Sequence, residues 1–438
     1  MSELVVLLEG RVAGTVTATG DRLRFAYDAD WRRAEDAYPL SLSMPLTAAD
    51  HGHAPITAFI WNLLPDNDRT LERWAAQFHV SARNAFALIR EVGEDCAGAV
   101  QFVRPERLEA MQAPRRANVR WLDERDIAER LRSVLHDAAS GRTAADNGQF
   151  SLAGAQPKTA LLHDPRTGRW GVPAGRTPTT HILKPPSADL PGHAENEHFC
   201  LTLANRLGMS AARSQVVHFD GVPAIVVERY DRAAIRPGPA GLVRLHQEDM
   251  CQAFGLPPSR KYQNEGGPDA AQIVRLIGSS VSQPSTGAGR IGSPTQVDVW
   301  RFVRALIFNW LIGGTDAHAK NYSLLIGSYG TVRLAPLYDL ASAYGFAHIQ
   351  PQRMKLAMKV DRYYPVDSIL IRHWQRWATS AGLDPALVTE AIGAMTMALP
   401  EAIGETVAVM RSEGLTHPIL DRLETRLVER AARIMLKL

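Results

Sequence analysis

Apolar residues at Val299, Phe302, Val303, Leu306, Ile307 and Trp310 follow the i, i+3, i+4, i+7 spacing of a helix with one buried face. Gly313-Gly314 stops that helix, as a position needing left-handed backbone would, and residues 322–326 read as a strand. The polar stretch 315–321 is thus a loop braced between a core helix and a strand, a setting in which chemistry often sits.

The same patterning divides the rest of the chain. The apolar run 4–8, the break at Glu9-Gly10 and the resumption over 12–17 predict a β-hairpin, and Leu23, Phe25 and Tyr27 alternate as a third strand. Leu40, Leu42 and Met44 alternate with serines before Pro45, a further strand-like stretch. The period then changes, giving short helices over 59–64, 71–78 and 85–92 and a strand over 98–102. Residues 1–104 are read as an α+β scaffold subdomain, 105–230 as a core beginning with a linker, and 231–438 as a largely helical lobe. The linker, 104–123, holds Pro105, Pro114 and the basic group Arg115, Arg116 and Arg120. Asp123 is expected to cap a helix running to His136, and 140–148 to form a loop. A short strand delivers Lys184, and a helix opens at Glu195-Asn196-Glu197. Residues 216–219 and 224–231 form a hairpin about Asp220-Gly221. Residues 245–250 start another helix, 279–294 form a Gly/Ser/Pro-rich surface loop, and helices cover 369–378 and 420–436.

Composition narrows the class. The 438 residues are 45% hydrophobic and 22% charged, an ordinary globular balance with material for two to three domains. A net charge of +3 does not mark a nucleic-acid binder by bulk charge. Three scattered cysteines exclude a disulfide framework or a Cys-rich zinc site and suit a reducing cytoplasm. No leader pattern or run of eighteen apolar residues is read at the start or along the chain, so a cytoplasmic protein is expected.

Within the braced loop, Asp316 stands five residues before Asn321. A protein-kinase catalytic loop has this spacing between the Asp that takes the acceptor hydroxyl proton and the Asn that holds magnesium. Leu334-Ala335-Pro336-Leu337-Tyr338-Asp339 then presents an apolar strand with an acid at its end, where a kinase keeps its main magnesium ligand. The plain reading is that these residues cap turns and helices. Other weak signals fall in kinase order. Residues 150–162 form a strand, a run of small residues that lets backbone N–H groups approach phosphates, and a second strand; an ordinary hairpin looks similar. Lys184 suits the α- and β-phosphates, or is a surface lysine. Glu197 suits the helix glutamate that pairs with it, or serves the helix start.

Four stretches then resemble the motifs of HipA-type serine/threonine kinases: Phe150-Ser-Leu-Ala-Gly-Ala-Gln-Pro-Lys-Thr-Ala-Leu-Leu162, Val227-Glu-Arg-Tyr-Asp-Arg232, Gln247-Glu-Asp-Met-Cys-Gln252 and Trp310-Leu-Ile-Gly-Gly-Thr-Asp-Ala-His-Ala-Lys-Asn321. The resemblance runs over nearly the whole chain. It implies an α+β protein with a two-lobed kinase-like core, an N-terminal α+β subdomain and a helical C-terminal lobe. It implies ATP and Mg2+, with Asp316 as catalytic base and Asn321 and Asp339 as metal ligands. Lys184 would bind phosphates, and Ala153, Gly154, Ala155, Gln156, Pro157 and Lys158 would form the phosphate loop. Glu228, Arg229 and Tyr230 would form the adenine hinge, and His318, Ala319, Lys320, Asn321 and Tyr338 would also line the nucleotide. Ser151 matches the family's autophosphorylated serine, while Pro157 departs from the acidic residue expected there. The implied partners are a helix-turn-helix antitoxin, operator DNA mainly through that antitoxin, and a protein substrate such as an aminoacyl-tRNA synthetase. The leading alternative is a catalytically weak nucleotide-binding subunit that supports a repressor on DNA. A small-molecule kinase or a metal hydrolase built on Asp316, His318 and Asp339 ranks below it.

Overall fold

The N-terminal alternation folds as read. In the computed structural model, which describes residues 2–113, 118–136, 151, 153–186, 190–280 and 294–438, strands Ser2–Leu8, Arg11–Thr19 and Arg22–Tyr27 pair antiparallel in sequence order. Val100–Val103 adds beside the first of them and Asp50–His51 beside the third. Phe25, Tyr38, Phe59 and Phe102 are fully or almost fully buried in the core between this sheet and helices His53–Leu63, Asp68–Phe78 and Ala85–Val92. Residues 40–44 are not a strand: a bridge from Ser41 to Met44 closes a turn, because Leu40 and Met44 both point into that core while the Ser41 hydroxyl bonds the Gln252 carbonyl at 3.2 Å.

Two further expectations change. The linker carries structure: a helix at Leu108–Gln112 and an edge strand at Asn118–Leu122, whose exposed residues include Arg120; Arg115 and Arg116 lie outside the described residues. Residues 246–249 form a strand, His246–Asp249, and the helix begins only at Met250, where Asp249 and Gln252 make a reciprocal capping box. The loop expected over 140–148 lies outside the described residues; of that expected over 279–294, residues 281–293 lie outside them too, while its ends belong to helices Ala270–Ser280 and Pro294–Ile312.

The chain divides into two compact units, which do not follow the three sequence segments because the chain passes back from one to the other. The first holds 1–185, 217–258 and 324–332. It contains the N-terminal sheet and most of a second, six-stranded sheet. There His181–Lys184 lies between Thr159–Asp164 and Val222–Glu228. Leu161, Val172, Leu183 and Val226 line one face of this sheet and pack with Ile127, Ala128 and Leu131 of helix Glu124–His136. Asp123 accepts the amide of Asp126 at 2.8 Å, so that helix starts at the expected cap.

The same unit buries Glu248, whose Oε1 accepts the Leu42 amide at 2.8 Å. Burial pushes its carboxyl up to about 8, so the folded protein holds a proton there at neutral pH. The folded value lies above the ordinary 4.5, so this contribution to stability is complete below pH 4.5 and is lost as pH rises through 8. Glu248→Gln is expected to melt about 5 °C above the parent at pH 9 and level with it at pH 5. Melting curves that differ equally at both pH values would contradict the buried proton.

The second unit holds 186–216, 259–323 and 333–438 and is mainly helical, as read. Its centre is helix Pro294–Ile312, longer at its start than the apolar repeat indicated. The carbonyls at its end are all met. Arg430 donates to those of Trp310 and Leu311 at 2.9 and 3.0 Å, and Ser342 Oγ donates to that of Ile312. Helix Pro385–Ser412 is long and apolar enough to cross a bilayer by length and composition alone. It buries Val388, Ile392, Leu399, Ile403 and Val407 against its neighbours and leaves Leu387 and Met397 exposed.

Candidate active site

The loop after the core helix is shaped by two glycines. Gly313 has φ of +65°, and a Cβ there would come within 2.5 Å of the Tyr344 ring. The Gly314 amide donates to the Asn309 carbonyl at 2.7 Å. The chain then exposes Asp316 at its apex. Two donors hold the Asp316 carbonyl: the His318 amide and Asn321 Nδ2, each at 2.8 Å. Ala319–Asn321 closes as a single 3-10 turn, leading into strand Ser323–Gly327. Because Asn321 spends its amide nitrogen on this carbonyl, its side-chain oxygen is the atom left for a ligand. His318 is buried with its ring against Tyr262, and burial lowers its pKa, which keeps it neutral near pH 7.

The Asp339 segment is tied to the same loop. Strand Thr331–Leu334 ends earlier than expected, so Asp339 follows an extended stretch rather than a strand end. The reason is visible in its bonds: Leu337 leaves the sheet to exchange backbone hydrogen bonds with Ser210 and Ala212 at 2.8 and 2.7 Å. Tyr338 donates its hydroxyl to the Lys320 carbonyl at 2.5 Å and sits 2.7 Å from Ser323 Oγ. Asp298 of the core helix, fully buried, accepts the Leu334 amide at 3.0 Å and Arg333 Nε at 2.7 Å. Asp339 itself is held at φ +55°, a left-handed conformation that non-glycine residues adopt only when the surroundings enforce it. Asn321 and Asp339 offer hard oxygen donors, which fit Mg2+. Among the described residues no three His, Cys, Asp or Glu side chains converge as a metal cage, so Mg2+ there would take its other ligands from phosphate and water.

In the first unit, Ser151 and Ala153 to Lys158 lie against the N-terminal subdomain; Phe150 and Leu152 are outside the described residues. Ser151 is fully buried. Its hydroxyl donates to the Leu63 carbonyl at 2.7 Å and its amide to the Asp95 carbonyl at 3.0 Å. Gly154 forms a bridge with Pro65, and its carbonyl takes the Asp66 amide at 3.3 Å. Its φ is +101°, and a Cβ there would stand 2.5 Å from Lys158 Nζ, which donates to the Ala153 carbonyl at 2.7 Å. Ala155 is exposed, and Gln156 and Pro157 are half-buried. Lys184 is buried at the end of its strand, opposite Ile225.

Of the three residues expected at the hinge, Glu228 is exposed at the end of strand Val222–Glu228 and Tyr230 bonds Gln247 Oε1 through its hydroxyl. Arg229 differs: its guanidinium is buried and taken by Asp231, Thr179 and the Cys96 carbonyl, and its amide by the Thr180 carbonyl. Any contact of Arg229 with a ligand therefore falls to its carbonyl. Arg232 and Arg244 join the same buried cluster, converging with Arg229 on Asp95 and Asp231. Nothing in the spacing of these five residues announced the cluster.

Residues 4–103 match the HipA N-terminal domain, and 150–403 match the HipA-like C-terminal domain. A putative kinase, Y4mE, of Sinorhizobium fredii is 36% identical over 92% of this chain and 91% of its own. The serine/threonine-protein kinase toxin HipA of Shewanella oneidensis is 31% identical over 90% of this chain and 86% of its own. A solved structure of a Shewanella oneidensis toxin–antitoxin system, HipA with HipB and operator DNA, contains a chain that superposes with a TM-score of 0.81. That chain is 26% identical, over 98% of this chain and 97% of its own.

Proposed function

The chain belongs to the HipA family of serine/threonine protein kinases, and on that premise we propose that it is the toxin of a type II toxin–antitoxin pair. Its reaction moves the γ-phosphate of ATP to a hydroxyl on a component of translation, such as an aminoacyl-tRNA synthetase. The observation that carries the reading is the loop at Asp316: an exposed carboxylate on a backbone whose carbonyl is pinned by Asn321 and His318. Asp316 takes the proton of the acceptor hydroxyl as its oxygen attacks the γ-phosphorus and ADP leaves. Asn321 and Asp339 would hold Mg2+, which would neutralise charge on the phosphates. Lys184 binds the α- and β-phosphates, Ala153 to Lys158 cover them, and Glu228 to Tyr230 meet the adenine. His318, Ala319, Lys320 and Tyr338 line the nucleotide. A cytoplasmic setting suits the three free, buried cysteines.

The partner is a helix-turn-helix antitoxin, through which operator DNA is engaged; the relative solved with HipB and operator DNA supports this. The protein also modifies itself at Ser151. A buried hydroxyl bonded to the Leu63 carbonyl has no room for a phosphate, so the segment must leave its seat to be modified. About 1.5 to 2 added negative charges beside a carbonyl oxygen then bar its return. Ser151→Asp is accordingly expected to weaken ATP binding about tenfold or more, and unchanged affinity by calorimetry would defeat this account. The test of the function is incubation of the purified protein with labelled ATP and Mg2+, followed by mass mapping. Label at Ser151 is the expected result. ATP bound without any transfer would favour the repressor-supporting subunit.

A further inference from the structure

From residue 259 to 268, around the 3-10 turn Gln263–Glu265, the chain lays a strap over the loop at Asp316. The Lys261 carbonyl accepts the Ala319 amide at 3.1 Å. The Tyr262 ring meets the His318 ring edge-on, with centroids 4.9 Å apart and planes at 84°. Gln263 Oε1 accepts the Lys359 amide at 2.7 Å, which fastens the strap to strand Lys355–Val360. The Gly267 amide returns to the Tyr262 carbonyl at 2.9 Å. From this platform the Tyr262 hydroxyl donates to Oδ1 of Asp316. We propose that Tyr262 is a positioning residue for the Asp316 carboxylate, a role that rests on Asp316 being the base.

The physical case is a matter of what else holds that carboxylate. The bonds from His318 and Asn321 go to the Asp316 carbonyl and fix its backbone, not its side chain. Asp316 is exposed, so without a side-chain partner its carboxylate would sample several rotamers. A base works only when its oxygen lies within hydrogen-bond reach of the proton it takes. Tyr262 occupies one oxygen and thereby aims the other. Its own rotamer is set by the His318 ring and by backbone bonds on both sides, so the hydroxyl arrives ordered rather than being ordered by substrate.

The test is Tyr262→Phe, which keeps the ring against His318 and removes only the hydroxyl. Transfer from labelled ATP to a degenerate serine/threonine peptide mixture is followed, with ATP affinity by calorimetry. The expected result is a kcat lowered about ten- to thirtyfold with KM for ATP and calorimetric affinity within about twofold of the parent. In an Asp316→Asn background, Tyr262→Phe should cost nothing more, because the hydroxyl acts through that carboxylate; a merely structural role would add its loss in both backgrounds. Unchanged or faster transfer by Tyr262→Phe, beside an inactive Asp316→Asn, would overturn this inference alone and would mark the tyrosine as idle or as an obstruction. Full activity of Asp316→Asn itself would overturn the base and the inference together. A melting temperature for Tyr262→Phe well below the parent calls for Gln263→Ala. That variant slackens the strap from outside the loop and should reproduce the kcat loss if positioning is the mechanism.

Discussion

Asp316→Asn is expected to lose phosphoryl transfer by about 10^2- to 10^4-fold while ATP still binds. The magnitude is that of a removed general base, about 3 to 5 kcal/mol of barrier. Asparagine has the same shape, and its side-chain oxygen can still take the Tyr262 hydroxyl. The carbonyl that Asn321 and His318 hold belongs to the backbone and survives the change. The loop should therefore keep its form, and the loss should be chemical. With Asp316 as the proposed base at the acceptor, affinity for ATP with Mg2+ should move by less than about twofold, and the entire effect should appear in kcat. The measurement is single-turnover transfer from labelled ATP beside calorimetry on the same sample. Loss of both transfer and binding would assign Asp316 to the nucleotide or its metal instead of the acceptor.

What could be read from sequence depended on whether the signal was local. The core helix, the glycines that stop it and the five-residue spacing of Asp316 and Asn321 are local, and the observed loop follows from them. The hairpin about Asp220-Gly221 is local too, with both turn residues at positive φ, as that tight turn requires. The misses have a common cause. Residues 40–44 alternate like a strand, yet no neighbouring strand offers a ladder, and Ser41 and Ser43 bond the Gln252 carbonyl far along the chain. Residues 245–250 read as the start of a helix, and Asp249 and Gln252 do cap one. The four residues before Met250 are claimed by a sheet formed with Ser323–Gly327, a partner invisible to local pattern. Tyr262 lies 54 residues before Asp316, so no spacing could join them. The motif around Arg229 is contiguous, but the burial of its side chain is not legible there, because one of the two carboxylates that hold it, Asp95, lies far along the chain.

Those carboxylates give the second large effect: Asp95→Asn should destabilise the protein by about 3 to 5 kcal/mol. Asp95 is buried and is met by Arg244 at 2.9 Å, Arg232 at 3.0 Å and Arg229 at 3.8 Å, with Thr179 Oγ1 donating at 2.8 Å. Burial opposes its charge, yet the guanidinium groups of Arg244, Arg232 and Arg229 outweigh it and hold the carboxyl well below the ordinary carboxylate range. Three buried guanidinium groups face two carboxylates, so removing one charge leaves three facing Asp231 alone. The cost is that of stranding buried cations, which exceeds the net worth of the intact pairs. Arg232 shows the pressure already, with burial and Arg229 drawing its pKa down to about 10. Thermal melts at pH 7 should show a fall of roughly 3 to 6 °C. The neighbouring Cys96→Ala, which leaves every charge in place, should cost far less. The Asp95 carbonyl also holds the Ser151 amide at 3.0 Å, so the same substitution should loosen the segment that begins at Ser151 and raise amide exchange there beyond the global loss. A melting temperature within about 2 °C of the parent would mean that the three arginines find other acceptors, and the cluster would then be packing rather than a charge balance.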